Sequence, residues 1–138
     1  PTSPGAERSF TPEQLGEALA LADHVVSLLP GDASTQGFFG ASAFSKMKPS
    51  AYFYNLGRGS TVDEAALVTA LGNGTIAGAF LDVTAEEPLR PESVLWRTEN
   101  LYITPHSSAI AAQYLDLYFD ELAPMLRAAA KGTPSIAP

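Results

Sequence analysis

Arg58, Glu87 and His106 are the residues of this 138-residue chain whose types and positions could do chemistry together. Each follows a short apolar run: Arg58 after Ala51–Leu56, Glu87 after Ile76–Val83, and His106 after Leu101–Pro105. Histidine is the side chain that exchanges a proton most readily near neutral pH. A carboxylate within hydrogen-bond reach fixes its tautomer and favours its charged form. A guanidinium grips a carboxylate through two parallel hydrogen bonds, and the glycines on both sides of Arg58 let a ligand approach the backbone closely. If the three runs are neighbouring parallel strands about 5 Å apart, all three groups leave the sheet at one edge. Open parallel sheets bind ligands at that carboxyl edge.

Each group also has a plainer reading. His106 could cap a loop carbonyl, Glu87 beside Glu86 could be solvated, and Arg58 could be a surface arginine in a strand–helix turn. Asp82 ends an otherwise apolar strand, where a near-buried acid needs donors; a ligand amide and backbone groups both qualify. His24, the second of two histidines, opens a strand and is expected to face solvent or cap the preceding helix.

The elements that must position these groups alternate between helix and strand. Thr11-Pro12-Glu13-Gln14 reads as a capping box with proline at the first helical position, opening a helix with Leu15, Ala18, Leu19 and Ala22 on one face. His24–Leu29 reads as a buried strand ended by Pro30-Gly31-Asp32. A weaker helix is expected near 41–47, then the strand Ala51–Leu56. Thr61-Val62-Asp63-Glu64 reads as a second capping box, and Gly72-Asn73-Gly74 as the stop of the helix it opens. Strands Ile76–Val83 and Leu101–Thr104 flank an ordered loop over 84–100. A long amphipathic helix is expected over 109–131, with Ile110, Tyr114, Leu117, Tyr118, Leu122 and Met125 facing inward and Gly132 as its stop. Alternation at this spacing predicts a parallel sheet and an α/β fold, with one sheet edge left bare.

Bulk properties narrow the function. The net charge of −7 and the scattering of the eight basic residues argue against nucleic acid. No apolar stretch approaches the ~20 residues that span a bilayer. Cysteine is absent, which excludes disulfides and thiolate metal sites and fits a cytoplasmic protein. No His/Asp/Glu set has metal-ligand spacing, no Gly-x-Ser-x-Gly elbow occurs, and no Gly-x-Gly-x-x-Gly fingerprint is present. The chain opens on Pro1 rather than Met and its first seven residues read as loop, so a piece of a longer protein is expected.

An ordered set of short segments resembles one family. Leu29-Pro30, Met47-Lys48-Pro49, Asn55-Leu56-Gly57-Arg58-Gly59, Val62-Asp63-Glu64-Ala65-Ala66-Leu67, Gly78-Ala79-Phe80-Leu81-Asp82-Val83, Glu87-Pro88-Leu89 and Ile103-Thr104-Pro105-His106 together resemble the second half of the nucleotide-binding domain of the D-isomer-specific 2-hydroxyacid dehydrogenases. The resemblance covers roughly 22–108. It implies a partial Rossmann-like sheet with a long C-terminal helix that leads toward a substrate domain. It implies NAD or NADP as cofactor and a small 2-keto or 2-hydroxy acid as substrate, with glyoxylate or hydroxypyruvate as the first choice. It assigns the substrate carboxylate and keto oxygen to Arg58, support of the histidine to Glu87, and acid/base work to His106. Asp82 would contact the nicotinamide carboxamide; Leu29, Pro30, Thr35, Leu56, Gly57, Arg58 and Ser108 match positions that touch cofactor. The chain departs from the pattern at Gly31-Asp32 and at Ser107-Ser108.

The family also implies a homodimer, with Trp96 either in that contact or in the core. A rival reading is a non-catalytic, dinucleotide-sensing interaction module of corepressor type. A formate dehydrogenase-like reading is disfavoured because Glu87 stands where those relatives carry glutamine. Without the glycine turn that cradles a pyrophosphate, the 138-residue chain alone is expected to be inactive. Calorimetric titration with NADH should show no binding, and micromolar affinity would contradict that expectation.

Overall fold

The computed structural model describes residues 5–110 and 113–130. The chain divides into two compact units, Pro1–His106 and Ser107–Pro138.

In the first unit the helix start falls where the capping signals predict it. Gln14 Oε1 accepts the Thr11 N–H at 3.1 Å. The first turn, Pro12–Gln14, is 3-10 in form, and α1 follows at Leu15–Leu21. Then come β1 (His24–Ser27), α2 (Ala41–Phe44), β2 (Tyr52–Asn55), α3 (Glu64–Gly72), β3 (Gly78–Leu81) and β4 (Leu101–Ile103). The four strands form one sheet in the order β1-β2-β3-β4, parallel throughout, with Val25, Phe53, Ala79 and Leu101 in register. This is the parallel α/β arrangement the alternation predicts and the Rossmann-like sheet the family resemblance implies.

The pleat sends successive side chains to opposite faces, and the two faces differ sharply. Phe53 (0% exposed) and Leu81 pack with Leu19 of α1, Phe44 of α2 and Leu67 and Leu71 of α3. The Phe53 ring lies 4.8 Å from Phe39 and 5.3 Å from Phe44. On the other face Val26, Tyr52 and Tyr102 are exposed, Tyr102 at 71%. The strand predicted as buried over 24–29 is therefore only half covered: Val25 packs inward, Val26 does not, and Leu28 lies beyond the strand and is exposed. A parallel strand is apolar on both sides only where layers cover both faces.

The other differences have a common cause. Ala51, Ile76 and Val83 are buried but lie outside the strands. Apolar runs report burial, which outlasts ladder pairing at each strand end. The helix expected near 41–47 is the single turn of α2. Thr61 does not cap α3: it is buried, its hydroxyl donates to the Arg58 carbonyl at 2.7 Å, and Asp63 caps instead, accepting the Ala66 N–H at 3.0 Å. The helix stops as predicted, with Gly74 at φ +66. The loop over 84–100 contains one 3-10 turn, Val94–Arg97, which buries Leu95.

The second unit contains α4, Tyr114–Ala130, with Pro124 inside it. It starts five residues after the predicted 109, so Ile110 lies outside it and is exposed. Tyr114, Leu117, Tyr118 and Met125 are exposed rather than inward, and Leu122 is half-buried. The periodicity is present, but among the described residues of this unit no second layer meets the stripe. Tyr114 and Tyr118 stack at 6.3 Å, the i,i+4 contact a helix surface offers. Lys131 and Gly132 fall outside the described residues. No helix among the described residues is long and apolar enough to cross a membrane.

Phe53→Ala removes the ring at the centre of the core and should destabilise the chain by about 3–5 kcal/mol, read from urea unfolding. A loss under about 1 kcal/mol would place the core elsewhere.

Candidate functional site

The strand ends carry loops that are stacked on one another by backbone contact. Gly57 backs onto the loop after β1: a Cβ there would stand 2.5 Å from the Leu29 carbonyl oxygen and 2.8 Å from its nitrogen. Gly59 faces the loop after β3, where a Cβ would overlap the Thr84 carbonyl. Arg58 lies between these two contacts. Its carbonyl accepts from Asn55 Nδ2 at 3.0 Å and Thr61 Oγ1 at 2.7 Å, while Asn55 Oδ1 accepts the Gly57 N–H at 3.2 Å. Asn55 and Thr61 are fully buried, so these bonds are shielded from water. The guanidinium is exposed and donates to the Gly57 carbonyl at 2.8 Å.

Glu87 uses both oxygens. Oε1 accepts the Thr84 N–H at 3.0 Å, and Oε2 lies 2.8 Å from His106 Nδ1. Thr84 Oγ1 in turn donates to the Glu86 carbonyl at 2.8 Å, closing the turn. His106 has φ +53, and its N–H donates to the Thr104 carbonyl at 3.0 Å. A left-handed backbone is uncommon outside glycine, though histidine adopts it more readily than most. Donation from Nδ1 to Glu87 fixes the tautomer and leaves Nε2 as the nitrogen available to a reacting group. The bond from His106 holds the Glu87 carboxyl below its ordinary value; burial and the nearby Asp82 charge act the other way, and the Thr84 N–H adds to the lowering.

Asp82 is buried at the end of β3, and Thr104 Oγ1 donates to its Oδ1 at 2.5 Å.

Arg58, Glu87 and His106 line one cleft of about 210 Å³, together with Gly59, Ser60, Thr84 and Ala85. A neighbouring cleft of about 350 Å³ shares Thr84, Glu87 and His106 and adds Asp82, Leu89, Trp96, Ile103 and Thr104. Leu29 is brought against Gly57 by the missing Cβ there. Thr35 is turned into its own loop: its hydroxyl donates to the Pro30 carbonyl at 2.6 Å and accepts the Asp32 N–H at 3.0 Å. Asp32, at one departure from the family pattern, is engaged by Ser34 through its N–H and hydroxyl. Ser108 lies in the second unit and is exposed. His24 is exposed, as expected, with Nδ1 3.0 Å from the Tyr54 hydroxyl. Trp96 is not a core residue: it is 53% exposed, and its indole N–H donates to the Arg90 carbonyl at 2.9 Å.

Reading the sequence for reactive groups missed the residues that hold them. Asn55 and Thr61 gave a signal only as polar residues beside buried runs. Thr84 acts through its backbone N–H, which no residue type announces. Among the described residues, no group of three or more His, Asp or Glu side chains could hold a metal ion.

A parallel sheet with polar and charged groups gathered at its carboxyl edge places the chain among the open α/β domains that bind ligands at that edge. Comparison with known proteins gives the family. Residues 2–108 match the family described as "D-isomer specific 2-hydroxyacid dehydrogenase, NAD binding domain", and the chain belongs to it. A probable 2-ketogluconate reductase of Dictyostelium discoideum is 46% identical over 105 residues, 75% of this chain and 31% of that protein. Glyoxylate/hydroxypyruvate reductase A of Photorhabdus laumondii is 36% identical over 120 residues, 87% of this chain and 38% of that protein. Among solved structures, a probable 2-hydroxyacid dehydrogenase from Rhizobium etli in complex with NADP, HEPES and L(+)-tartaric acid aligns with a TM-score of 0.79 and 34% identity, covering 97% of this chain and 43% of that one. The chain thus spans about a third of the length of these curated relatives.

The lowered Glu87 value sets a pH dependence with a definite sign. Between the folded value and the ordinary 4.5 the unfolded chain binds more protons, so stability rises with pH there. The contribution is complete above 4.5 and is lost as pH falls through the folded value. The side chains are 48% and 39% exposed for His106 and Glu87, so the contribution is small. Glu87→Gln should be less stable than the parent chain near neutral pH, and the gap in urea midpoint should close as the solution is acidified. A gap that stays constant would contradict the assignment.

Proposed function

We propose that the whole protein carrying this chain reduces a small 2-keto acid to the D-2-hydroxy acid, or runs the reverse oxidation, with NAD(H) or NADP(H). The observation that carries this reading is the shared cleft: a guanidinium, a carboxylate and an imidazole at one sheet edge, with the carboxylate on Nδ1 of the ring. Family membership and the names of its relatives support it.

A bound nicotinamide dinucleotide supplies the hydride that adds to the keto carbon. The rest falls to this chain's own residues. Arg58 binds the substrate carboxylate and polarises the keto oxygen. His106, protonated, gives its Nε2 proton to the oxygen as the carbon–oxygen double bond opens. Glu87 keeps the ring in the tautomer and orientation that this requires. Imidazolium and guanidinium together offset the negative charge that grows on that oxygen, commonly a large catalytic term. Asp82, with Thr104 donating to it, fits the carboxamide of the nicotinamide. Glyoxylate and hydroxypyruvate are the substrates of choice, supported by the name of the relative glyoxylate/hydroxypyruvate reductase A.

Steady-state reduction of glyoxylate and hydroxypyruvate by the whole protein tests this. His106→Ala should lower kcat by on the order of 10²–10⁴-fold. Arg58→Lys, which loses the paired grip, should act mainly on KM for the keto acid, by roughly 10- to 100-fold. Full turnover in His106→Ala would overturn the assignment.

A further inference from the structure

We propose that Glu64 is a positioning residue for the His106–Glu87 pair, acting through the backbone of the loop after β3. It touches neither imidazole nor cleft. Its Oε1 accepts the Ala85 N–H at 2.7 Å, a bond between residues 21 apart in the chain. The preceding amide, Thr84 N–H, is the one that holds Glu87 Oε1. Two consecutive peptide N–H groups are therefore each taken by a carboxylate, Glu87 from within the loop and Glu64 from the first residue of α3.

The consequence is geometric. The loop that bears Glu87 meets the loop that bears Arg58 at Gly59, where the backbones touch with no side chain between them. A contact of that kind limits approach but does not resist separation or sliding. Glu64 supplies the attraction. It stands on the helix that continues from the Arg58 turn, and its hydrogen bond ties that helix to residues 84–85. The bond thus sets both the direction of the Thr84 N–H and the spacing between the Arg58 side of the cleft and the His106 side. Glu64 also lies at a helix N-terminus, where any negative charge is favourable, so the test must separate charge from hydrogen bonding.

The inference rests on the reading of His106 and Glu87 as an acid/base pair, and the measurements keep the two apart. The chain has two histidines, so long-range ¹⁵N–¹H spectra can follow both rings, with His24→Asn giving the assignment and His24 the internal control. At a pH where both rings are deprotonated, the parent chain should show the His106 proton on Nδ1. Glu64→Ala should weaken that signature and leave His24 unchanged. Glu64→Asp keeps the charge at the helix start but falls a methylene short of Ala85, so it should behave as the alanine variant does while preserving the fold. Glu64→Gln keeps an acceptor oxygen without the charge and should recover the signature. In the whole protein, Glu64→Ala and Glu64→Asp should lower kcat by on the order of 10- to 100-fold, the scale of a misplaced catalytic group. KM for the dinucleotide should hold, and Glu64→Gln should recover most of the rate.

An unchanged His106 signature in Glu64→Asp, with Glu87→Ala still abolishing it, would overturn the role of Glu64 and leave the pair intact. If Glu87→Ala does not abolish it, the pair reading fails and this inference fails with it.

Discussion

A backbone contact with no side chain in it decides the geometry of the site. At Gly59 the turn that carries Arg58 lies directly against the Thr84 carbonyl, and any other residue would force the loops apart. The Arg58 side and the His106 side of the cleft belong to different strand ends, and this contact limits how closely they approach. The same device recurs one step along the sheet, where Gly57 lies against Leu29. Three successive loops are thereby packed like plates. Such packing has low tolerance, because close-packed backbone relaxes little when a methyl group is forced between its atoms.

Polar bonds around the contact set orientation rather than stability. Asn55 and Thr61 are buried and satisfy the Arg58 carbonyl, so they stiffen the turn that presents the guanidinium. The His106–Glu87 bond is short but half exposed, and water competes with it. Its value lies in which nitrogen it occupies. With Nδ1 committed to Glu87, and φ +53 at His106 turning the chain at that point, Nε2 is the free nitrogen. Stability comes from elsewhere: from the aromatic cluster of Phe39, Phe44 and Phe53 beneath one face of the sheet.

The uneven covering of the sheet has its own consequence. Val26, Tyr52 and Tyr102 give one face an apolar, aromatic surface, and the described stripe of α4 is likewise exposed. Periodicity identified both surfaces as apolar but could not say whether anything covers them. Hydrophobicity is a property of the residue, whereas burial depends on what lies opposite.

Much of the fold and of the site was legible before any coordinates. Alternating strand and helix signals specified four strands in one parallel sheet, because consecutive strands joined by crossovers pack back onto one sheet. Reactive types at the ends of three such runs specified which groups meet, since parallel strands deliver their ends to one edge. The capping role went to the wrong residue because Thr61 and Asp63 both suit it, and only the fold shows that Thr61 is needed at the Arg58 carbonyl. The tertiary structure alone decided how Glu87 is held, since backbone N–H groups at 84 and 85 are the same in every sequence. It alone decided which faces are bare, and that glycine at 59 is required for contact rather than for turning. A chain encodes its strands and helices in local pattern, but the fit between two loops exists only once both are in place.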